Sequence, residues 1–170
     1  MSSGRKDATH QREIESLYAI KRFTLEISSI NCHLEEVRRI WGRTLGISGP
    51  QWMILFAVSD LDKDDGVPVN VVSKLLHVDP SFVTAQSKLL VQKGLLRRAP
   101  SLVDARVVRM SLTEKTSRHL ANLAEQYSAI RKFVFEEFDE TELTAFTARL
   151  ATVSNRLGKV CRRVAADFDF

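Results

Sequence analysis

The chain is poor in glycine, cysteine and histidine, and it lacks the common catalytic motifs. Its 170 residues include seven glycines, too few and too scattered for a phosphate-cradling loop, and neither a P-loop nor a G-x-G-x-x-G pattern occurs. The two cysteines, Cys32 and Cys161, lie far apart and form no C-x-x-C, so neither a disulfide framework nor a zinc knuckle is expected. The four histidines, His10, His33, His77 and His119, are isolated, with no H-E-x-x-H. These gaps argue against an enzyme, and no metal or cofactor is expected. No apolar run approaches the roughly 18 residues of a membrane span. The polar opening MSSGRKDATHQRE lacks the apolar core of a secretory signal, so a cytoplasmic protein with no membrane partner is the expectation.

What is present centres on residues 69–112. Val69–Leu76 reads as a short helix with Val71, Val72, Leu75 and Leu76 buried, followed by a turn at His77-Val78. Asp79-Pro80 opens a second helix: the carboxylate can accept orphan backbone N–H groups, and proline tolerates the first turn. Val83, Leu89 and Leu90 are expected to face the core, with Ser81, Thr84, Ala85, Ser87 and Lys88 outward. Gly94 closes the helix. The period then switches to two, and Leu95–Arg98 and Arg106–Leu112 alternate like the strands of a hairpin. Helix, turn, helix and hairpin in this order make a winged helix-turn-helix.

Charge is concentrated there. Residues 81–110 hold Lys88, Lys93, Arg97, Arg98, Arg106 and Arg109 against Asp104 alone, whereas the whole chain nets only +4. A focused cationic patch suits phosphate, so the expected partner is double-stranded DNA. A solvated basic hairpin is the plainer alternative.

Residues 1–11 read as a flexible tail. From Arg12 to Leu45, Ile20, Phe23, Ile27, Ile30, Leu34, Val37 and Trp41 recur by alternate steps of three and four, a seam that asks for a partner helix. Ser48–Gln51 is a capping box for the next helix, Asp60–Gly66 an acidic turn, and Val67-Pro68 a short strand beside the wing. Thr113 caps a further helix. Asp139–Glu142 is a second capping box, opening a helix seamed by Leu143, Phe146, Leu150, Val153, Leu157, Val160 and Val164. The expected class is mainly α with a small β-wing. Residues 48–138 form a winged helix-turn-helix domain with its following long helix, and 12–45 with 139–170 form a helical dimerisation region. A homodimer would set two basic modules on one palindromic operator, with half-sites about 34 Å apart; a monomer whose two seams pack together is the alternative.

DPSFVTAQSKLLVQKGLLRR (79–98) and DARVVRMSLTEK (104–115) resemble the recognition helix and wing of the MarR family of bacterial winged-helix regulators. The resemblance implies a DNA-binding regulator, most often a repressor, released from its operator by a small molecule. It implies that Arg106 enters the minor groove, held by Asp104, and that the start of the recognition helix reads the major groove. Many members carry arginine where this chain has Ala85, and glycine where it has Thr116. The first difference moves the expected base contacts to Thr84, Gln86, Ser87 and Lys88. Ser81 and Phe82 join them, Phe82 against a thymine methyl or as packing, and Gln86 is expected to be partly buried. Backbone N–H groups at 79–81 are expected to hold a phosphate. Arg97, Arg98, Arg106, Arg109 and Lys88 supply phosphate and minor-groove contacts.

Family members usually bind aromatic or anionic effectors between the dimer helices and the DNA-binding module. His33, Arg39, Trp41 and Trp52 are candidates by type, each with packing or solvation as its alternative role. An aromatic acid or its coenzyme A thioester is a family-level expectation for the effector. Two rival functions remain: a redox sensor using Cys32, which otherwise reads as a buried thiol, and an interaction adaptor that no longer binds DNA.

Overall fold

The computed structural model describes residues 3–167. The elements are α1 (Ser3–Thr44), α2 (Gly49–Leu61), β1 (Val67–Pro68), α3 (Val69–Leu76), α4 (Pro80–Gln92), β2 (Leu96–Pro100), β3 (Val108–Leu112), α5 (Glu114–Val134) and α6 (Glu140–Asp167). The chain divides into two compact units, one through His119 and one from Leu120 onward. Helix predominates over one small sheet, as the sequence leads one to expect. The expected tail is the exception, because α1 is already helical at Ser3; residues 1 and 2 lie outside the described part.

In the first unit α2 is the centre. The Ser48 hydroxyl accepts the Gln51 N–H while the Gln51 side chain accepts the Ser48 N–H, so the capping box closes as written. Trp52, Ile54, Leu55, Ala57 and Val58 are buried along α2. Burying each of the larger ones contributes about 1.5–3 kcal/mol. The end of α1 packs here through Trp41, whose ring lies 5.7 Å from that of Trp52.

α3 has the expected bounds but not the expected face. It offers two apolar stripes, Val71 with Leu75 and Val72 with Leu76. Its neighbours α2 and α4 cover the second, so Val72 is fully buried and Leu76 half-buried while Val71 and Leu75 are exposed. His77 ends the helix in the left-handed conformation, φ 53°. α4 likewise turns a stripe at 83, 87 and 90 inward, burying Val83, Ser87 and Leu90 and leaving Leu89 exposed. Gly94 follows with φ 66°, the left-handed turn that glycine adopts without strain.

The sheet order is β1-β3-β2, antiparallel throughout. Val67 pairs with Met110, and Leu96 pairs with Leu112 at the base of the hairpin. The sheet buries Val67, Leu96 and Met110 against α2 and its neighbours. The start of α5 is tied to the hairpin: the buried Thr116 hydroxyl donates to the Leu95 carbonyl at 2.7 Å, and Thr113 bridges to Gly94 and Leu95. Thr116 therefore carries a structural hydroxyl.

In the second unit Phe135, Phe138 and Phe146 form an aromatic cluster where α5 gives way to α6, with neighbouring centroids 6.5 and 5.9 Å apart. Asp139 and Glu142 close the second capping box. Within this unit the α6 seam is open: Phe146, Val153, Leu157, Val160 and Val164 are all exposed. Within the first unit the α1 seam is open at Ile20, Phe23, Ile30 and Leu34.

Candidate nucleic-acid interface

α4 is set by its N-terminus. Asp79 caps it, the carboxylate accepting the Ser81 N–H at 2.7 Å, and Pro80 occupies the first turn. Hydrogen bonding from Ser81, first its side chain and then its backbone N–H, holds the Asp79 carboxyl below its ordinary value. This corrects the expected phosphate seat. Pro80 has no N–H, the Ser81 N–H is taken, and a carboxylate stands where a phosphate would lie.

The outward face of α4 carries Ser81, Phe82, Ala85, Lys88 and Leu89, all exposed, with Thr84 half-buried beside them. Two residues expected to read bases are turned away. Ser87 is fully buried and its hydroxyl donates to the Thr84 carbonyl. Gln86 is half-buried, its side-chain oxygen accepting the Gln51 amide from α2 at 3.0 Å. Both lie on the stripe that packs against the helical core, and a polar residue in that stripe is satisfied internally. Lys93 is engaged at the other end of the module, its ammonium donating to the Gly46 carbonyl.

The wing divides its arginines by role. Arg109, expected as a DNA contact, folds back across the turn before β1. Its guanidinium donates to the Asp65 carbonyl at 2.7 Å and to the Gly66 carbonyl at 3.2 and 2.8 Å. That turn is tight. Gly66 has φ 72°, its N–H reaches Asp62 at 2.7 Å, and an added Cβ would stand 3.0 Å from the Met110 carbonyl. Arg109 is thus a clamp between β3 and the α2–β1 connection. Arg98 lies half-buried between β2 and α4. One of its terminal nitrogens donates to the Thr84 carbonyl, while its buried Nε has no hydrogen-bond partner among the described residues. It lines an open groove of about 450 Å³ with Lys88, Val91, Gln92, Pro100 and Val108. The sequence has no signal for this groove, because its walls come from a helix and a hairpin that only tertiary packing brings together.

Arg97 is exposed at the base of the hairpin and donates to the Leu112 carbonyl at 3.1 Å. Arg106 is exposed at the tip, and its guanidinium makes no hydrogen bond or ion pair among the described residues. Asp104 holds it in an unexpected way, through its backbone: the carboxylate accepts the Arg106 N–H at 2.9 Å. Of the cations expected to contact DNA, Lys88, Arg97 and Arg106 are therefore the ones that face outward.

The four effector candidates do not form one site. Trp52 is buried and Trp41 half-buried against it, a packed pair at the α1–α2 junction. Arg39 is paired with Glu36 on the same helix. The hydrogen bond between them lowers the Glu36 carboxyl and raises the Arg39 guanidinium from their ordinary values. His33 is exposed about two turns before Trp41. Cys32 is exposed rather than buried. Among the described residues no cluster could hold a metal ion, and no helix is long and apolar enough to cross a membrane.

Comparison with known proteins agrees with this geometry. A family model described as "MarR family" matches residues 45–107. The HTH-type transcriptional repressor MdtR of Bacillus subtilis (strain 168) is 34% identical over 61 residues, which span 36% of this chain and 39% of that protein. Two solved structures share the fold. The MepR–DNA complex of S. aureus has a TM-score of 0.65 at 16% identity, over 78% of this chain and 96% of that one. CouR of Rhodococcus jostii RHA1, bound to p-coumaroyl-CoA, has a TM-score of 0.64 at 18% identity, over 74% and 87%. The matched segment contains α2, the helix-turn-helix, β2 and the wing tip, so residues 45–107 are similar to the MarR family, and the winged-helix fold around them is that of these solved structures.

Proposed function

We propose that this chain is a sequence-specific DNA-binding transcriptional regulator that sits as a homodimer on a palindromic operator and represses until a small effector releases it. The observation that carries the reading is the pairing of an exposed α4 face with a wing whose Arg106 is exposed and uncommitted. Ser81, Phe82, Thr84 and Lys88 would face base edges in the major groove. Arg106 would enter the minor groove, and Arg97 and Lys88 would lie along phosphates. MepR, which shares the fold, is known in complex with DNA, which supports the same use here.

The homodimer is supported by the open seams of α1 and α6, two long apolar stripes that a second copy would cover. Repression is supported by the name of the MdtR relative. An aromatic acid or its coenzyme A thioester as effector is supported by the ligand of CouR. Effector binding would shift the spacing of the two α4 helices, and it need bias that equilibrium by only a few kcal/mol.

Fluorescence anisotropy with the DNA upstream of the chain's own gene, against a scrambled duplex over a salt series, tests the reading. Nanomolar, specific binding with a steep negative salt slope is expected. Equal and weak binding to both duplexes, and to duplexes selected from a random library, would refute it. Sedimentation should give about twice the 19.3 kDa chain mass.

A further inference from the structure

The tip of the wing carries an apolar pair that the DNA-contact reading of its arginines leaves unexplained. Leu102 and Val103 have relative exposures of 105% and 97%, the highest of any large hydrophobic side chain among the described residues. They are presented on an ordered tip. The Ser101 hydroxyl accepts the Val103 N–H at 3.3 Å, and the Ser101 N–H reaches the Val107 carbonyl at 2.8 Å. The Asp104 carboxylate accepts the Arg106 N–H, and the Asp104 carbonyl accepts the Val107 N–H at 2.9 Å. Two side chain–backbone turns thus bracket the pair and hold it away from the body of the module.

From this geometry we infer that Leu102 and Val103 form an apolar wedge that enters the DNA minor groove alongside Arg106, opening a base step and bending the duplex. The inference rests on the DNA-binding reading above. The occupant follows from charge and continuity. The hairpin holds four arginines against one aspartate, and Arg106 stands four residues from Leu102 on the same tip, so a polyanion is the surface this edge meets. Phosphates offer no contact to an isobutyl group. The minor-groove wall offers deoxyribose carbons, and its floor offers the stacked step itself. Leucine is among the side chains that unstack such steps, and the resulting kinks run from 20 to 90°. Leu102 would take the step, Val103 the sugar face, and Arg106 the narrowed groove beside the kink.

The test uses the full chain and a duplex selected by it from a random library, labelled at both ends for energy transfer. Leu102→Ser/Val103→Ser alters two side chains that touch nothing in the fold, so thermal unfolding should be unchanged. The expected result is roughly tenfold weaker binding at every salt concentration, with the salt slope retained because no phosphate contact is lost. Energy transfer should fall toward that of the free, straight duplex. Arg106→Ala in the same assay should lower the salt slope. Wild-type affinity and wild-type energy transfer in the double variant would overturn the wedge while leaving the DNA-binding reading in place. Failure of the wild-type chain to select any duplex would overturn both.

Discussion

Arg109→Ala separates a structural arginine from a DNA-contacting one. In the folded chain this guanidinium makes three hydrogen bonds, at 2.7, 3.2 and 2.8 Å, to the carbonyls of Asp65 and Gly66. Hydrogen bonds involving a charged partner contribute about 1.5–3 kcal/mol each when buried. Arg109 is half-exposed and the carbonyls lie at a surface turn, so water can replace much of what is lost. A loss of about 1–2 kcal/mol for the whole clamp is therefore expected. For a chain of this length each kcal/mol lowers the melting temperature by about 2–4 °C, so the variant should melt roughly 2–8 °C lower. Its DNA affinity should fall only modestly and its salt slope should stay unchanged, because no phosphate contact is removed. Urea unfolding followed by circular dichroism, with anisotropy over a salt series, reads both effects. An unchanged urea midpoint together with a salt slope reduced by about 0.9, the value of one phosphate contact, would show that Arg109 binds DNA and that the clamp carries no weight.

Arg106→Ala should do the reverse: melt like the wild type, bind operator at least several-fold more weakly, and discriminate less between A·T and G·C beneath the wing, as read by binding to matched duplexes. Thr116→Val keeps the shape of a fully buried side chain but removes its bond to Leu95, so a loss of about 1 kcal/mol is expected in chemical denaturation. The cap at Asp79 should be pH-dependent. Its carboxyl is depressed by Ser81, so its contribution is fully present above the ordinary carboxylate value near ~3.9 and fades as pH falls through the lower folded value. Asp79→Ala should therefore lower the urea midpoint at pH 7 and much less at the acid end of that window. Leu157→Glu places a charge on the open α6 seam and should shift sedimentation from dimer to monomer.

Local signals account for much of what the sequence alone determined. Both capping boxes, the Asp79-Pro80 start of α4, the left-handed Gly94 and the short strand at Val67-Pro68 depend on neighbours within a few residues, and each closes as written. The period switch after Gly94 announced the hairpin, and the focusing of positive charge marked the same segment as the candidate interface. Which face of a helix is covered is not local information. α3 carried two apolar stripes, and only the positions of α2 and α4 decided that Val72 and Leu76 would be covered rather than Val71 and Leu75. The inward stripe of α4 runs through Ser87, a polar residue satisfied by its own helix, so counting apolar positions pointed outward where packing points inward. The arginines differ in the same way. Arg106, Arg97, Arg98 and Arg109 are equivalent as letters. Tertiary structure brought the 65–66 carbonyls to Arg109 and the flank of α4 to Arg98, while the Arg106 guanidinium at the tip makes no hydrogen bond or ion pair among the described residues. The sequence by itself determined where the helices and the hairpin lie and where the charge is concentrated. The tertiary structure decided which of those charges are held inside the molecule and which remain for a partner, because hydrogen bonds between distant segments exist only once those segments are packed together.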